Sequence, residues 1–220
     1  MEFKQKEEYN QLGYTIIRDF LPSNTYEKLL EFYNNASFKE VSLVREERYN
    51  LWQYTDDKNF PSTDEIYTNL FYSSFDVVDS DLYRKIFNEN IKPLFKELLN
   101  ESLIFKHQAT KIRNNGKDHL RCHYDDYSGT DGYIFFLTKH DWKYDWGGQL
   151  QIYSSDRVET VLPEPNKLIL INHMKKTPHW VTPVNVWAKE DRDNINGFCF
   201  KKGKELPDTW VGDRSDYAVY

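Results

Sequence analysis

Little in this sequence of 220 residues marks it for a membrane, a nucleic acid or an oxidising compartment. It has 2 cysteines, Cys122 and Cys199, and no CxxC pair. No disulfide framework or thiolate metal cluster is therefore written into it, and reduced thiols are expected. Long hydrophobic runs are missing. Ile134–Leu137 and Leu168–Ile171 stop far short of the ~20 apolar residues of a membrane span, and mean hydropathy is −0.79. There is no excess of positive charge: 29 Lys and Arg stand against 35 Asp and Glu, a net charge of −6. That is the wrong footprint for nucleic acid as the main partner. The N-terminus, MEFKQKEEYN, lacks the apolar stretch of a signal peptide, so the expected setting is cytoplasmic. Repeats, low-complexity tracts and Pro/Gly/Ser-rich linkers are also absent. We expect one domain over 1–220.

Aromatic residues are abundant: 16 Tyr, 14 Phe and 6 Trp, too many for a disordered chain. The first hundred residues read as mostly helical. Glu2–Leu12 suits a short polar helix, and Tyr14–Ile17 a β-branched strand. Asn24 and Glu27 are spaced as a capping box, ahead of Tyr26, Leu29, Leu30 and Tyr33 at helical spacing. Ser80 is placed to cap a helix over Asp81–Asn90. Pro93 suits the first turn of another helix ending at Leu99. Between these, residues 40–62 mix charge with aromatics and read as a surface loop or as a lid over a pocket.

The texture changes near Leu103. Strand-like runs recur at 102–106, 119–124, 132–138, 149–153, 157–162, 167–172, 179–186 and 194–200. Turn signals such as Asn115-Gly116, Gly147-Gly148 and Ser154-Ser155-Asp156 separate them. The expected fold class is α+β, mainly β. A jelly roll over 101–200 is braced by helical support and a candidate lid over 1–100, and 201–220 form a C-terminal extension.

One strand carries Arg121-Cys122-His123-Tyr124-Asp125. Period-two alternation puts Arg121, His123 and Asp125 on one face, with Leu120, Cys122 and Tyr124 on the other. A second histidine, His179, lies 56 residues on. Arg192 follows it after a turn at Ala188–Asp191, and the hairpin would return it beside His179. Two imidazoles and a carboxylate suit a divalent metal. The same residues also suit a hydrogen-bonded core pair with a surface His, and Arg192 an ordinary ion pair.

HxD, a distal His and a basic residue one strand later resemble the iron(II)- and 2-oxoglutarate-dependent dioxygenases, in particular their prolyl-4-hydroxylase-like group. Trp146–Leu150 (WGGQL), Pro163–Asn172 (PEPNKLILIN), His179–Val184 (HWVTPV) and Arg192–Phe198 (RDNINGF) resemble that group's strand motifs. Gly13–Leu21 (GYTIIRDFL) resembles its opening. The likeness spans Gly13 to about Phe200. It implies a double-stranded β-helix, the jelly roll of this family. It further implies Fe(II) on His123, Asp125 and His179, and 2-oxoglutarate held by Arg192 through its distal carboxylate. O2 would be the oxidant and ascorbate a candidate reductant. A carboxylate at Asp125, where related halogenases carry a small residue, implies hydroxylation, demethylation or another oxidation.

The chain departs from the family pattern in three ways. The gap from His179 to Arg192 is a few residues longer than usual. Asn194 stands where Ser or Thr is common. No Tyr stands out on the strand before HxD, where Gln108, Lys111 and Arg113 are the polar residues. Lys189 is a rival to Arg192. His107, His119, His140 and His173 read as structural or exposed, with His119 a minor candidate to support His123. Trp180 and Trp146 read first as packing and second as pocket wall. Asp125, Asp126, Asp131, Asp141 and Asp145 read as a solvated rim; Asp126 among them would face a cationic substrate. Candidate substrates are an amino acid, a peptidyl side chain or a small metabolite. Two other classes remain open: an inactive jelly-roll module that binds a metal or carboxylate, and a cupin-like metalloenzyme that does not use 2-oxoglutarate.

Overall fold

The computed structural model describes residues 1–44, 67–99, 103–123, 130–175, 177–201 and 218–219. The helical front comprises α1 (Phe3–Leu12), β1 (Tyr14–Ile17), α2 (Ser23–Asn34), β2 (Lys39–Val44), β3 (Tyr67–Ser74), α3 (Asp81–Ile86) and α4 (Lys92–Leu99). The strands β4 (Leu103–Ile112), β5 (His119–His123), β6 (Thr130–Phe136), β7 (Leu150–Ser154), β8 (Arg157–Val161), β9 (Leu168–Ile171), β10 (His179–Val181), β11 (Arg192–Lys201) and β12 (Ala218–Val219) follow. Pairing runs β1-β9-β6-β11-β4-β3-β5-β10-β7-β8, with β12 beside β4 and β2 beside β3. Every pair is antiparallel. This is the mainly β, jelly-roll architecture that the strand spacing implies.

Period-two alternation explains the two apolar runs. Leu168, Leu170, Phe135 and Ile195 face the helices, in one core with Tyr33, Phe87, Phe95 and Phe105. Ile169, Ile171 and Phe136 face the other way, into a second core with Leu150, Val181 and Trp146. A strand buried on both faces has no polar positions, so it reads as a continuous run.

Several local expectations change. Asn24 lies inside α2, whose cap is Pro22: the Pro22 carbonyl accepts from the Thr25 and Tyr26 amides, so there is no capping box. Ser80 does cap α3, its hydroxyl accepting from the Tyr83 amide at 3.1 Å. The helix over 81–90 instead passes into a π turn at Phe87–Ile91. Pro93 has no amide hydrogen, and its ring crowds the carbonyl four residues back; the widened turn accommodates both. Residues 39–44 form a strand where an irregular segment was expected, and β3 was not anticipated. The rest of the candidate lid, 45–62, lies outside the described residues. No helix among the described residues is long and apolar enough to cross a membrane.

Gly197 of β11 shows how tightly helices and sheet meet. A Cβ there would come within 2.2 Å of Tyr133 Cε1. Tyr133 in turn shares a buried hydrogen-bonded cluster with Tyr83 and with His107 Nδ1 at 2.5 Å, where burial pushes His107 down to about 3 and so keeps it neutral. Gly197→Ala is therefore expected to cost ~1–3 kcal/mol by overpacking, read as a lowered midpoint in thermal or urea unfolding. An unchanged midpoint would mean that Tyr133 can move aside.

Candidate active site

Inside the barrel, a cavity with about 510 Å³ of empty space, open mouth included, is lined by His123, His179, Arg192, Thr110, Asn194, Asn196 and His173, and by apolar Leu120, Ile134, Leu150 and Val181.

Both histidines line it. His179 and His123 are register partners on β10 and β5. On β10 His179 and Val181 are two residues apart, yet their partners His123 and Leu120 are three apart. The extra residue is a β-bulge. It corrects the strict alternation expected of β5: Leu120 and His123 both line the cavity. The ring centroids of His123 and His179 are 4.4 Å apart. Two imidazoles bound side by side to one ion at ~2.1 Å would hold their centroids roughly 4.5 Å apart. His123 Nδ1 donates to the Arg121 carbonyl at 2.6 Å, and His179 Nδ1 to the Thr177 carbonyl at 3.0 Å. Each bond fixes the tautomer, so Nε2 carries the lone pair, as a metal ligand requires. The donor set therefore fits a divalent metal. Asp125 and Asp126 lie outside the described residues, and among the described residues no three His, Cys, Asp or Glu converge.

Arg192 occupies the same cavity but not the place beside His179 that the hairpin suggested. It lies by the glycine turn, its Cδ 3.4 Å from where a Gly148 Cβ would be; Val184 Cγ2 would lie 2.8 Å from that same atom. Gly147 and Gly148 have φ of +74° and +66°. A Cβ on Gly147 would meet the Pro183 carbonyl oxygen at 2.1 Å. The pair is thus a turn that only glycine allows, and it clears the path of the arginine. Arg192 is 2 % exposed, and its guanidinium lies over the Phe136 ring at 4.9 Å. Burial pushes it down to about 9. Nη1 donates to Asn194 Oδ1, whereas the buried Nε has no hydrogen-bond partner among the described residues.

The rival cations are engaged elsewhere. Lys111 faces the helical side and pairs with Asp193 at 2.9 Å and Asp191 at 3.5 Å. Arg113 pairs with Asp118 at 2.9 Å, and Lys189 is exposed in the turn. Gln108 is buried but does not line the cavity. A buried guanidinium with no carboxylate partner is costly alone and strongly attracts an anion.

The structure does not bring the two tryptophans to this cavity. Trp180 lies between His179 and Val181 on β10, and so on the opposite face. Trp146 is buried edge-on against Trp142, with centroids 5.3 Å apart. Asp131 is buried rather than part of a solvated rim and accepts from the Tyr9 hydroxyl, while Asp141 and Asp145 are exposed. His119 lies outside the cavity, its Nδ1 donating to the Lys117 carbonyl at 2.7 Å. Sequence reading missed Thr110, Asn196 and His173. His173 is buried in the cavity wall, 6.4 Å from the His179 ring. Thr110 and Asn196 could have been found from one signal, the alternation that sets Asn194 and Asn196 on the face of Arg192.

Residues 109–200 match the model of the 2OG-Fe(II) oxygenase superfamily. No curated protein matches the chain in sequence. Solved structures share its fold. A prolyl hydroxylase from Trichoplax adhaerens, in complex with a hypoxia inducible factor peptide fragment, is 19% identical with a TM-score of 0.65, over 90% of this chain and 87% of the other. A Pseudomonas putida prolyl-4-hydroxylase is 15% identical with a TM-score of 0.65, over 90% and 98%. The non-heme alpha ketoglutarate dependent epimerase SnoN of nogalamycin biosynthesis is 12% identical with a TM-score of 0.66, over 95% and 86%.

Proposed function

We propose that this protein, whose residues 109–200 match the model of the 2OG-Fe(II) oxygenase superfamily, is an iron(II)- and 2-oxoglutarate-dependent hydroxylase. Its substrate would be an amino acid, a peptidyl side chain or a small metabolite. The balance is R–H + 2-oxoglutarate + O2 → R–OH + succinate + CO2. The observation that carries the reading is the pairing, in one cavity, of two tautomer-fixed imidazoles and a buried guanidinium that has no carboxylate partner among the described residues.

His123 and His179 hold Fe(II) through Nε2, and Asp125 is the third ligand. Fe(II), when bound, supplies the redox chemistry that couples O2 to both organic reactants, with ascorbate as the reductant that keeps it ferrous. Arg192 binds the distal carboxylate of 2-oxoglutarate with a planar guanidinium fork. Leu150, Val181 and Ile134 line the cavity with apolar surface, which keeps water from competing for the guanidinium. Two reduced thiols, Cys122 and Cys199, and a ferrous cofactor suit a cytoplasmic setting.

The test is anaerobic titration of the Fe(II)-loaded protein with 2-oxoglutarate. A visible metal-to-ligand charge-transfer band that saturates at one equivalent is expected. Stoichiometric iron without the band would favour a cupin-like enzyme or a binding module. No iron uptake would return His123, Asp125 and His179 to a packing role.

A further inference from the structure

Among the described residues no carboxylate forms an ion pair with the buried guanidinium of Arg192, and the side chain that hydrogen-bonds it is an amide. Asn194 stands two residues on, on the same face of β11, and Arg192 Nη1 donates to its Oδ1. The other end of that amide is fully engaged. Asn194 Nδ2 donates to Thr110 Oγ1 at 2.7 Å and to Asn196 Oδ1 at 2.5 Å, and Thr110 Oγ1 donates to Asn196 Oδ1 at 2.9 Å. The chemistry fixes the orientation. A guanidinium only donates, so the amide must turn its oxygen to Arg192, and two acceptors then hold its nitrogen. The nearest carboxylate in sequence, Asp193, belongs to the opposite face, where Lys111 holds it at 2.9 Å.

We propose that Asn194 is the positioning residue of the co-substrate site. Its amide anchors one edge of the Arg192 guanidinium without neutralising it, and so makes the site select 2-oxo acids that carry a second, distal carboxylate. The inference rests on the reading of Arg192 given under Proposed function. An oxygen is needed to fix the guanidinium, but a charged oxygen at this distance would form an internal ion pair and take the place of the ligand. Asn supplies the oxygen and no charge. Thr110 and Asn196 act one step further out, by holding the amide nitrogen.

Asn194→Asp keeps the shape and the oxygen but adds the charge. The test measures anaerobic binding of 2-oxoglutarate and of 2-oxobutyrate, which lacks the distal carboxylate, by the charge-transfer band of the Fe(II)-loaded protein. Fe(II) affinity is measured alongside. The parent should prefer 2-oxoglutarate strongly. In Asn194→Asp, 2-oxoglutarate should bind ~100-fold more weakly, with 2-oxobutyrate and Fe(II) affinities nearly unchanged, so the preference collapses. Asn194→Ser, with a neutral oxygen, should stay within ~10-fold of the parent and keep the preference. Equal weakening of both 2-oxo acids would mean a merely structural role and would overturn the proposal. So would parental selectivity in Asn194→Asp. If that variant does not fold, loss of the preference in Asn194→Ser overturns it, and retention supports it. No 2-oxoglutarate binding by the parent would overturn the functional reading itself, and this inference with it.

Discussion

Arg192→Leu is expected to weaken 2-oxoglutarate binding by 30- to 4,000-fold while making the ligand-free protein more resistant to heat. The first half follows from truncating one partner of a buried, hydrogen-bonded charge pair, which costs ~2–5 kcal/mol, at ~1.4 kcal/mol per tenfold in affinity. The second half follows from the empty state. Arg192 is 2 % exposed and has no carboxylate partner among the described residues. Its guanidinium lies over the Phe136 ring and donates to Asn194 Oδ1. A leucine removes the desolvation cost of a charge, which exceeds the one hydrogen bond lost at Asn194 Oδ1. The buried charge is thus a stability cost retained for binding. Isothermal titration and thermal unfolding of the same two proteins check both signs. A variant with parental affinity would remove Arg192 from the site, and one with a lower unfolding temperature would mean that the guanidinium is held better than its contacts indicate.

His179→Ala is the second large effect. One of two imidazoles 4.4 Å apart is lost, and with it a ligand nitrogen that the Thr177 carbonyl orients. Since even supporting partners of metal ligands change affinity 10–100-fold, the loss of Fe(II) affinity should exceed ~100-fold, and turnover should vanish. The fold should survive, because the space left behind opens onto the cavity and admits water to the Thr177 carbonyl. Equilibrium dialysis against Fe(II), with circular dichroism as a folding control, distinguishes loss of metal from loss of structure. Parental iron affinity in this variant would place the metal elsewhere.

The strands were legible because turn residues bracket them. Each of the eight runs from 102 onward overlaps a strand of the structure. Leu168–Ile171 was legible as apolar but not as two-faced, since only packing against helices on one side and the barrel interior on the other makes it so. His123, His179 and Arg192 were legible through their strand motifs. The position of Arg192 was not. The hairpin returns it to Val184 and Gly148, beyond β10, because the turn after Val181 stays tied to the glycine turn through the Gly148 amide on the Pro183 carbonyl at 3.0 Å. Period-two reasoning failed at Leu120 because a bulge is a property of two strands and leaves no mark on one. His173 was missed for a similar reason: it lies on a short 3-10 turn between β9 and β10, where no periodicity operates.

The glycine turn at 147–148 has one more consequence. A Cβ at Gly147 would press on the Pro183 carbonyl, and one at Gly148 on Val184, Trp142 and the Cδ of Arg192. The room in which the arginine chain lies is therefore set by two missing side chains, and adding a single carbon to this turn would be felt at the guanidinium.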